Sequence, residues 1–165
     1  MIEVKSLRKS FGSLNAVDGV SFAVRRQETF GLLGPNGAGK TTTISMIIGV
    51  LKPNGGSIAI DEVSDPSIAK VRRAIGIAPQ ALSLYGNLTA QENLAFFARL
   101  YGYSASKLRE RVDWALQFAG LADRRRGRVK TFSGGMQRRL NLAAALVHDP
   151  QIILLDEPTV GVDPQ

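Results

Sequence analysis

The stretch GPNGAGKT, residues 34–41, decides the fold. It matches the pattern G-x-x-x-x-G-K-[ST] at every fixed position, and an apolar run at 28–34 (ETFGLLG) leads into it. The run predicts a strand, and residues 39–51 (GKTTTISMIIGVL) predict a helix. A glycine-rich loop between a strand and a helix presents consecutive backbone N–H groups, which bind phosphate. We therefore interpret residues 34–41 as a phosphate-binding loop, or P-loop.

Each residue type in this loop has a predicted role. The Lys40 ammonium can reach the β- and γ-phosphates of a nucleotide, and the Thr41 hydroxyl can ligate Mg²⁺. The alternative is a glycine-rich turn that only starts a helix. The predicted nucleotide-binding residues of this region are Gly34, Pro35, Asn36, Gly37, Ala38, Gly39, Lys40, Thr41 and Thr42.

A second group of chemical residues follows the apolar run IILLD at 152–156. Such a run predicts a parallel strand buried on both faces, with Asp156 at its carboxyl end. Asp156 would hold Mg²⁺ through water, and Glu157 would be the base that polarises an attacking water. The alternative is an acidic strand end followed by Pro158.

The stretch TFSGGMQRRLNLAAAL, residues 131–146, predicts a helix that begins after Ser133. A helix that opens on Ser-Gly-Gly is a good anion site, because its first N–H groups and the positive end of its dipole face outward. Ser133, Gly134 and Gly135 are therefore a second candidate phosphate site, about a hundred residues after the first.

The other elements alternate between strands and helices. We predict strands at 19–24 (GVSFAV), 56–61 (GSIAID) and 75–80 (IGIAPQ), and helices at 89–102 and 106–120. Thr89 and Glu92 have the spacing of a capping box. The fold class is therefore α/β, with an all-helical insertion at about 86–130.

Composition excludes some classes of protein. The 165 residues contain no cysteine, which rules out disulfides and thiolate zinc sites. The N-terminus lacks the apolar region of a signal peptide, and no apolar run approaches the ~18 residues of a membrane span. Net charge is +7, partly from RRRGRVK at 124–130. That run is either a solvated loop or a contact for nucleic acid, acidic lipid headgroups or a partner protein.

The order of these motifs resembles the ATP-binding cassette (ABC) ATPases, over essentially the whole chain. The resemblance implies a P-loop NTPase of the ABC type, with a mostly parallel sheet core, antiparallel N-terminal strands and a helical subdomain. Residues 1–85 and 131–165 would form the catalytic core of a single domain, and about 86–130 the helical subdomain. Gln80 stands where the family has its Q-loop glutamine, and VGVD at 160–163, with Asp163, resembles the D-loop.

The resemblance also implies a cofactor set and roles for the site residues. The cofactors would be ATP and Mg²⁺, with Thr41, Gln80 and Asp156 at the metal. Glu157 and Gln80 would be catalytic. Two such domains would pair head to tail, so that Ser133 and the N–H of Gly135 contact a γ-phosphate held by the other protomer's Lys40. ATP would then close a dimer that hydrolysis opens.

Residues 75–102 and 132–140 resemble the ATPase subunits of ABC-2 type exporters. This implies export powered through a separate membrane permease, a second nucleotide-binding subunit, a peripheral location at the cytoplasmic face of the membrane and no direct nucleic-acid contact. The permease would dock around residues 80–88 and the helical segment after them. The alternative is a non-transport ABC ATPase that acts on nucleic acid or ribosomes.

Three positions depart from the family's pattern. Met136 stands where glutamine is common, and Phe11 stands where a base-stacking tyrosine is commoner. The sequence also ends at Gln165, before the family's switch histidine, so we expect a cassette truncated after the D-loop. His148 precedes the Asp156 strand and is expected to be a surface residue of a helix.

Overall fold

The computed structural model describes residues 1–63 and 65–156. Glu157 and the predicted D-loop with Asp163 lie outside the described residues. The chain divides into two compact units, Met1–Arg72 and Arg73–Gln165. None of the described helices is both long enough and apolar enough to cross a bilayer.

The first unit contains an antiparallel sheet of three strands in the order β2-β1-β3. The strands are β1 (Ile2–Phe11), β2 (Leu14–Val24) and β3 (Gly55–Ile60). β2 contains the strand predicted at 19–24, and β3 covers the strand predicted at 56–61 except for Asp61; the predicted antiparallel N-terminal strands are confirmed. The buried apolar side chains of this unit include Ile2, Val4, Leu7, Val17, Met46, Ile47, Ile58, Ile60 and Val71.

Two short helices lie within the first unit or at its end. Helix α1 (Lys40–Ile47) is shorter than the predicted 39–51, because the chain turns out of it at Gly49, with φ +70°. It buries Thr43, Met46 and Ile47. Helix α2 (Ala69–Arg73) lies at the boundary of the two units.

The strand predicted at 28–34 is wrong. This segment has no regular secondary structure, and Leu33 is 92% exposed. Its contacts are made with residues nearby in the sequence: Glu28 donates its N–H to Arg25 O, the Phe30 ring stacks on Phe22 at 4.9 Å, and Gly34 O accepts from Lys40 Nζ. An apolar run supplies hydrophobicity but no partner for its backbone, and no strand of this unit pairs with it among the described residues.

The second unit pairs two parallel strands, β4 (Ile75–Ala78) and β5 (Ile152–Leu155), in a register from Ile75↔Ile152 to Ala78↔Leu155. Both strands were predicted, with slightly longer bounds. The prediction that the 152–156 strand is buried on both faces is wrong, since Ile153 and Leu155 are 48% and 41% exposed. Within this unit, the side chains that alternate with them are the better covered ones.

Three helices surround the core of the second unit: α3 (Ala90–Arg99), α4 (Ala105–Phe118) and α5 (Gly134–Leu146). Short 3₁₀ turns occur at Ala122–Arg124 and Val129–Thr131. The capping box is confirmed: Glu92 N–H donates to Thr89 Oγ1, and Thr89 N–H donates to the Glu92 carboxylate at 2.8 Å. These bonds from Thr89 lower the pKa of Glu92.

His148 is not a surface residue. It lies beyond the last residue of α5 and is only 7% exposed. Its Nε2 lies 3.1 Å from Ile75 O at the start of β4, and its ring stacks on Tyr101 at 3.7 Å. The sequence prediction failed because a polar residue at a helix end is ordinarily solvated, whereas here Ile75 O and the Tyr101 ring cover it.

We predict that His148 makes the fold less stable in acid. Burial lowers the pKa of His148, Arg111 lowers it further, and Ile75 O and Asp149 oppose this. The unfolded chain therefore binds the proton first as pH falls below about 6.5, so stability is complete above that pH and is lost below it. Arg111 and Asp149 form an ion pair at 3.3 Å beside the ring.

Urea unfolding at several pH values measures this effect. The free energy of unfolding should fall by up to ~1.4 kcal/mol per pH unit below 6.5. His148 is the chain's only histidine, so the His148→Gln variant should show a much flatter profile between pH 5.5 and 7.5. An equally steep profile in that variant would contradict the prediction.

Candidate functional site

The phosphate-binding loop turns sharply before α1. Ala38 N–H donates to Pro35 O at 3.2 Å, and Asn36 and Gly37 form the turn. The N-cap of α1 is Gly39, which has no side chain to accept a hydrogen bond from the helix start. The first turn of α1 carries no acidic residue. The first N–H groups of a helix have no acceptor within it, so this helix start suits an anion.

The Lys40 side chain folds back over the loop. Its Nζ donates to the carbonyl oxygens of Gly34 at 2.7 Å and Pro35 at 2.9 Å. The positive charge is therefore held inside the same turn whose backbone leads into α1. A cation at this position attracts the phosphate groups of a nucleotide.

Gly37 and Gly39 both have a left-handed backbone, with φ +82° and +79°. They differ in their surroundings. A Cβ at Gly39 would overlap the carbonyl oxygen of Ala16 on β2 and lie 3.0 Å from the Val17 side chain, whereas one at Gly37 would meet nothing within 4 Å. Gly39 thus seats the loop against β2, and Gly37 leaves room above the loop.

Phe11 ends β1 and is half exposed, with Lys9 Nζ 5.4 Å from the centre of its ring. An exposed aromatic ring of this kind can stack on a nucleotide base. Its predicted role in base stacking stays a prediction.

The second predicted phosphate site is a helix start open to solvent. Ser133 is the N-cap of α5, and its side chain accepts a hydrogen bond from Met136 N–H at 3.3 Å. Ser133, Gly134 and Gly135 are exposed, and a Cβ on either glycine would meet nothing within 4 Å. The first turn carries no acidic residue. An anion can therefore approach the first N–H groups of α5 closely.

The Gln137 side chain holds the backbone that leads into this helix. Its Nε2 donates to Phe132 O at 3.1 Å and to Val129 O at 3.3 Å. Phe132 is buried beneath the turn. The backbone just before Ser133 is therefore held by the helix that Ser133 begins.

Gln80 and Asp156 follow the carboxyl ends of the two parallel strands. Asp156 N–H donates to Ala78 O at 3.1 Å, which extends the ladder by one residue. Helix α5 holds the backbone at Gln80: Arg138 donates to Gln80 O at 2.5 Å, and Asn141 Nδ2 lies 3.4 Å from Pro79 O. Helix α5, which begins at the second predicted phosphate site, therefore also holds the backbone at the edge of the parallel pair.

The sequence did not reveal the buried amides that shape the loop after Gln80. Asn141 accepts from Ser83 N–H at 3.1 Å. Asn93, which is fully buried, accepts from Tyr85 N–H at 2.8 Å and donates to Tyr85 O and Thr89 O. Each asparagine stands next to a leucine on the apolar face of its predicted helix, which could have indicated that it is buried. A buried amide then needs hydrogen-bond partners, here supplied by the backbone.

The predicted metal ligands are oxygen donors, as Mg²⁺ prefers. They are the Thr41 hydroxyl, the Gln80 amide and the Asp156 carboxylate. Among residues 1–63 and 65–156, no group of three or more histidine, cysteine or acidic side chains could hold a metal alone. This donor set fits Mg²⁺, which is usually bound by one or two protein side chains together with substrate phosphates.

The predicted residues lie in separate parts of the chain. The first unit contains Phe11 and the loop with Thr41 and Thr42, and the second contains Gln80, the Ser133 helix start and Asp156. Within the second unit, helix α5 connects two of these places. Ser133 is its N-cap, and Arg138 on the same helix donates a hydrogen bond to Gln80 O.

Comparison with known proteins decides the family. Residues 17–160 match the family described as ABC transporter. The chain belongs to this family. Among the curated ABC relatives, Linearmycin resistance ATP-binding protein LnrL of Bacillus subtilis (strain 168) is 45% identical over 166 residues, covering 100% of this chain and 53% of its own length. Nod factor export ATP-binding protein I of Paraburkholderia xenovorans is 48% identical, covering 99% and 54%.

Solved ABC structures share the fold. The cbiO1 protein of Clostridium perfringens, part of the ABC transporter complex cbiONQ, superposes with a TM-score of 0.89 at 32% identity, covering 99% of this chain and 67% of that one. A dimeric post-hydrolysis form of the ATP-binding cassette MJ0796, bound to ADP and Pi, gives 0.86 at 30% identity, covering 99% and 76%. The predicted fold class and ABC resemblance are confirmed. The chain spans about half the length of the curated ABC relatives it matches.

Proposed function

We propose that the chain binds MgATP in the loop at 34–41 and hydrolyses it. The observation that carries the proposal is the geometry of Lys40, whose ammonium is held by two loop carbonyls directly before an uncapped helix start. A fixed cation and oriented N–H groups stabilise the charge that develops on a transferred phosphoryl group.

Three side chains would hold Mg²⁺: Thr41, Gln80 and Asp156. A metal ion held there would supply positive charge that offsets the negative charge of the nucleotide phosphates. Glu157, the residue after Asp156, would accept a proton from the attacking water. The hydrogen bonds from α5 to the backbone at Gln80 would keep that side chain at the edge where Asp156 emerges.

We propose further that two copies, or this chain and a related one, pair head to tail around ATP. The support is the second helix start, at Ser133, whose two exposed glycines leave space for a phosphate. A solved cassette of the same fold, MJ0796, forms a dimer. The partner's ATP would bring its γ-phosphate to the N–H groups of α5, a contact that ADP cannot make.

The dimer would power export through a separate membrane permease and lie at the cytoplasmic face of the membrane. Support comes from relatives named for linearmycin resistance and Nod factor export. Their names favour transport over the nucleic-acid alternative. The permease would contact a surface formed by Leu82, Tyr85 and Phe96, which are 40%, 50% and 37% exposed. We name these three residues the docking surface; Asn93 fixes Tyr85 within it.

Changing Lys40 to alanine should weaken MgATP binding by at least ~10-fold, or ~1.4 kcal/mol, because the loop loses its cation. Isothermal titration calorimetry measures the affinity. Lys70→Ala removes the same charge from an exposed position of the same unit and should leave the affinity unchanged. Equal affinities of the two variants would contradict the assignment of the loop.

Pairing can be tested by mixing two defective variants. In a head-to-tail dimer of Lys40→Ala with Ser133→Arg, both lesions fall in one composite site and the other stays intact, whereas each homodimer has two damaged sites. ATP-dependent dimerisation, followed by analytical ultracentrifugation, should therefore reappear in the mixture. A mixture that pairs no better than its separate components would exclude the head-to-tail arrangement.

A further inference from the structure

The basic loop, which we define as Arg124–Lys130, is held firmly in place by its backbone. The first N–H groups of α3 donate into it: Ala90 to Gly127 O at 3.1 Å and Gln91 to Arg125 O at 3.0 Å. In return, Val129 N–H donates to Leu88 O and Lys130 N–H to Gly86 O, both at 3.0 Å. The loop thus supplies the acceptors that a helix start normally lacks, and its position is fixed.

Packing also fixes this loop from the other side. A Cβ at Gly127 would lie 2.8 Å from the ring of Phe132, which is itself buried. The loop therefore lies directly on the ring before the Ser133 helix start. A freely solvated loop, one of the two interpretations of this basic run, would show neither this contact nor the backbone bonds to α3.

The side chains of the basic loop divide into two sets. Arg125 turns to Asp113 at 2.6 Å and to Gln91 at 3.0 Å, and Lys130 contacts Asn87 at 3.3 Å. Arg124, Arg126 and Arg128 are exposed and form no ion pair with any described residue. Three exposed arginines therefore extend from a backbone that is held by hydrogen bonds, and none of them forms a close ion pair with a described residue.

Nearby acids compensate only part of this charge. Asp113 already pairs with Arg125, and Asp123 is exposed beside Arg124. Hydrogen bonds from Thr89 lower the pKa of Glu92, and the Arg128 charge lowers it further, so Glu92 offsets part of one of the three charges. The net charge of Arg124–Lys130 is +5, of which Asp113 offsets one unit by pairing with Arg125. The local field therefore favours an anionic partner.

The loop adjoins the docking surface. Its hydrogen bonds to Gly86 and Leu88 place it beside Tyr85, whose ring contacts Phe96 at 5.0 Å. If the docking surface faces a permease, the anions next to it are the lipid headgroups of the same bilayer. We propose that Arg124, Arg126 and Arg128 bind the phosphates of anionic phospholipids; this rests on the proposed function. Guanidinium groups suit phosphate because each can donate two parallel N–H hydrogen bonds to one phosphate group.

Vesicle flotation of the purified chain tests the proposal. The chain should bind vesicles containing about 30% phosphatidylglycerol, and not neutral phosphatidylcholine vesicles, and the binding should weaken with added salt. The triple variant R124Q/R126Q/R128Q should bind the anionic vesicles about 100-fold more weakly, since each basic residue near the surface contributes about five-fold. A control triple, R72Q/R73Q/R109Q, removes the same charge from exposed arginines and should retain binding.

Several results would overturn the proposal. One is an equal loss of vesicle binding in both triple variants, which would mean that binding depends only on the net charge of the chain. Another is undiminished vesicle binding by R124Q/R126Q/R128Q. Tighter binding to single-stranded RNA than to anionic vesicles, lost in the same variant, would assign the loop to nucleic acid instead. Calorimetry with MgATP on every variant separates the two proposals: normal nucleotide binding without lipid binding refutes only this one, and absent nucleotide binding in the unaltered chain refutes the proposed function.

Discussion

Replacing Glu157 by glutamine is expected to slow ATP hydrolysis by about 10²–10⁴-fold, the usual contribution of a positioned general base. The parallel register of β4 and β5 places Asp156 at the carboxyl edge of the pair, with its N–H bonded to Ala78 O. Glu157 is the next residue in the sequence. Glutamine keeps the size of the side chain and cannot take the proton, so the chemical step suffers.

Binding should change little in this variant, because the Lys40 loop is untouched. Phosphate release gives the turnover, and calorimetry gives the MgATP affinity, which should stay within about three-fold of the original. Glu110→Gln makes the same chemical change at an exposed residue of α4 and should leave both quantities unaltered. Unchanged turnover in Glu157→Gln, or a loss of MgATP binding, would remove Glu157 from the proposed role.

Replacing Gly39 by alanine is expected to lower the free energy of unfolding by about 2–5 kcal/mol. Two costs add. A left-handed backbone costs a residue with a Cβ about 1–2 kcal/mol, and overpacking costs about 1–3 kcal/mol more. The overpacking arises because the new Cβ would overlap Ala16 O, a backbone atom of β2 that cannot move without disturbing the sheet.

Gly37→Ala is the matched control for this prediction. Gly37 has nearly the same φ, +82° against +79°, and open space around its Cβ position. It should cost only the backbone share, about 1–2 kcal/mol. Urea unfolding of both variants measures the difference, which isolates the contact with β2. Equal losses would mean that Gly39 does not seat the loop on that strand.

Much of the fold could be predicted from local pattern. The capping box at Thr89 and Glu92, the Ser133 helix start and the parallel strand before Asp156 all appear as the sequence indicated. These features depend on residues a few positions apart, so their signal is contained in a short window. The predicted boundaries of the elements were less accurate. Helix α1 ends at Ile47, before Gly49, although the apolar pattern of the sequence continues to residue 51.

What the sequence missed depends on distant partners. Whether residues 28–34 form a strand depends on a neighbouring backbone, which hydrophobicity alone does not provide. Burial of His148 depends on Tyr101 and Ile75, and the role of Asn141 depends on Ser83 and Pro79. Nothing in a window around His148 or Asn141 identifies those partners.

Candidate site residues were easier to predict than their supports. Phosphate recognition depends on a backbone shape that glycines allow and on one lysine, so the loop at 34–41 can be identified from its sequence motif. The side chains that hold the loop after Gln80 come from α5 and α3 and carry no motif. The predicted roles of Gln80, Thr41 and Asp156 at a metal stay predictions.

The anchored backbone of Arg124–Lys130 has a consequence for proteolysis. Five basic residues in seven make this the densest cluster of trypsin cleavage sites in the chain. A protease, however, needs an extended segment that it can draw into its own active site, and carbonyls here already accept hydrogen bonds from the start of α3. Cleavage would first require those bonds to open. Trypsin would then report the local opening of the second unit, and the scissile bonds would be protected by folding although their side chains face the solvent.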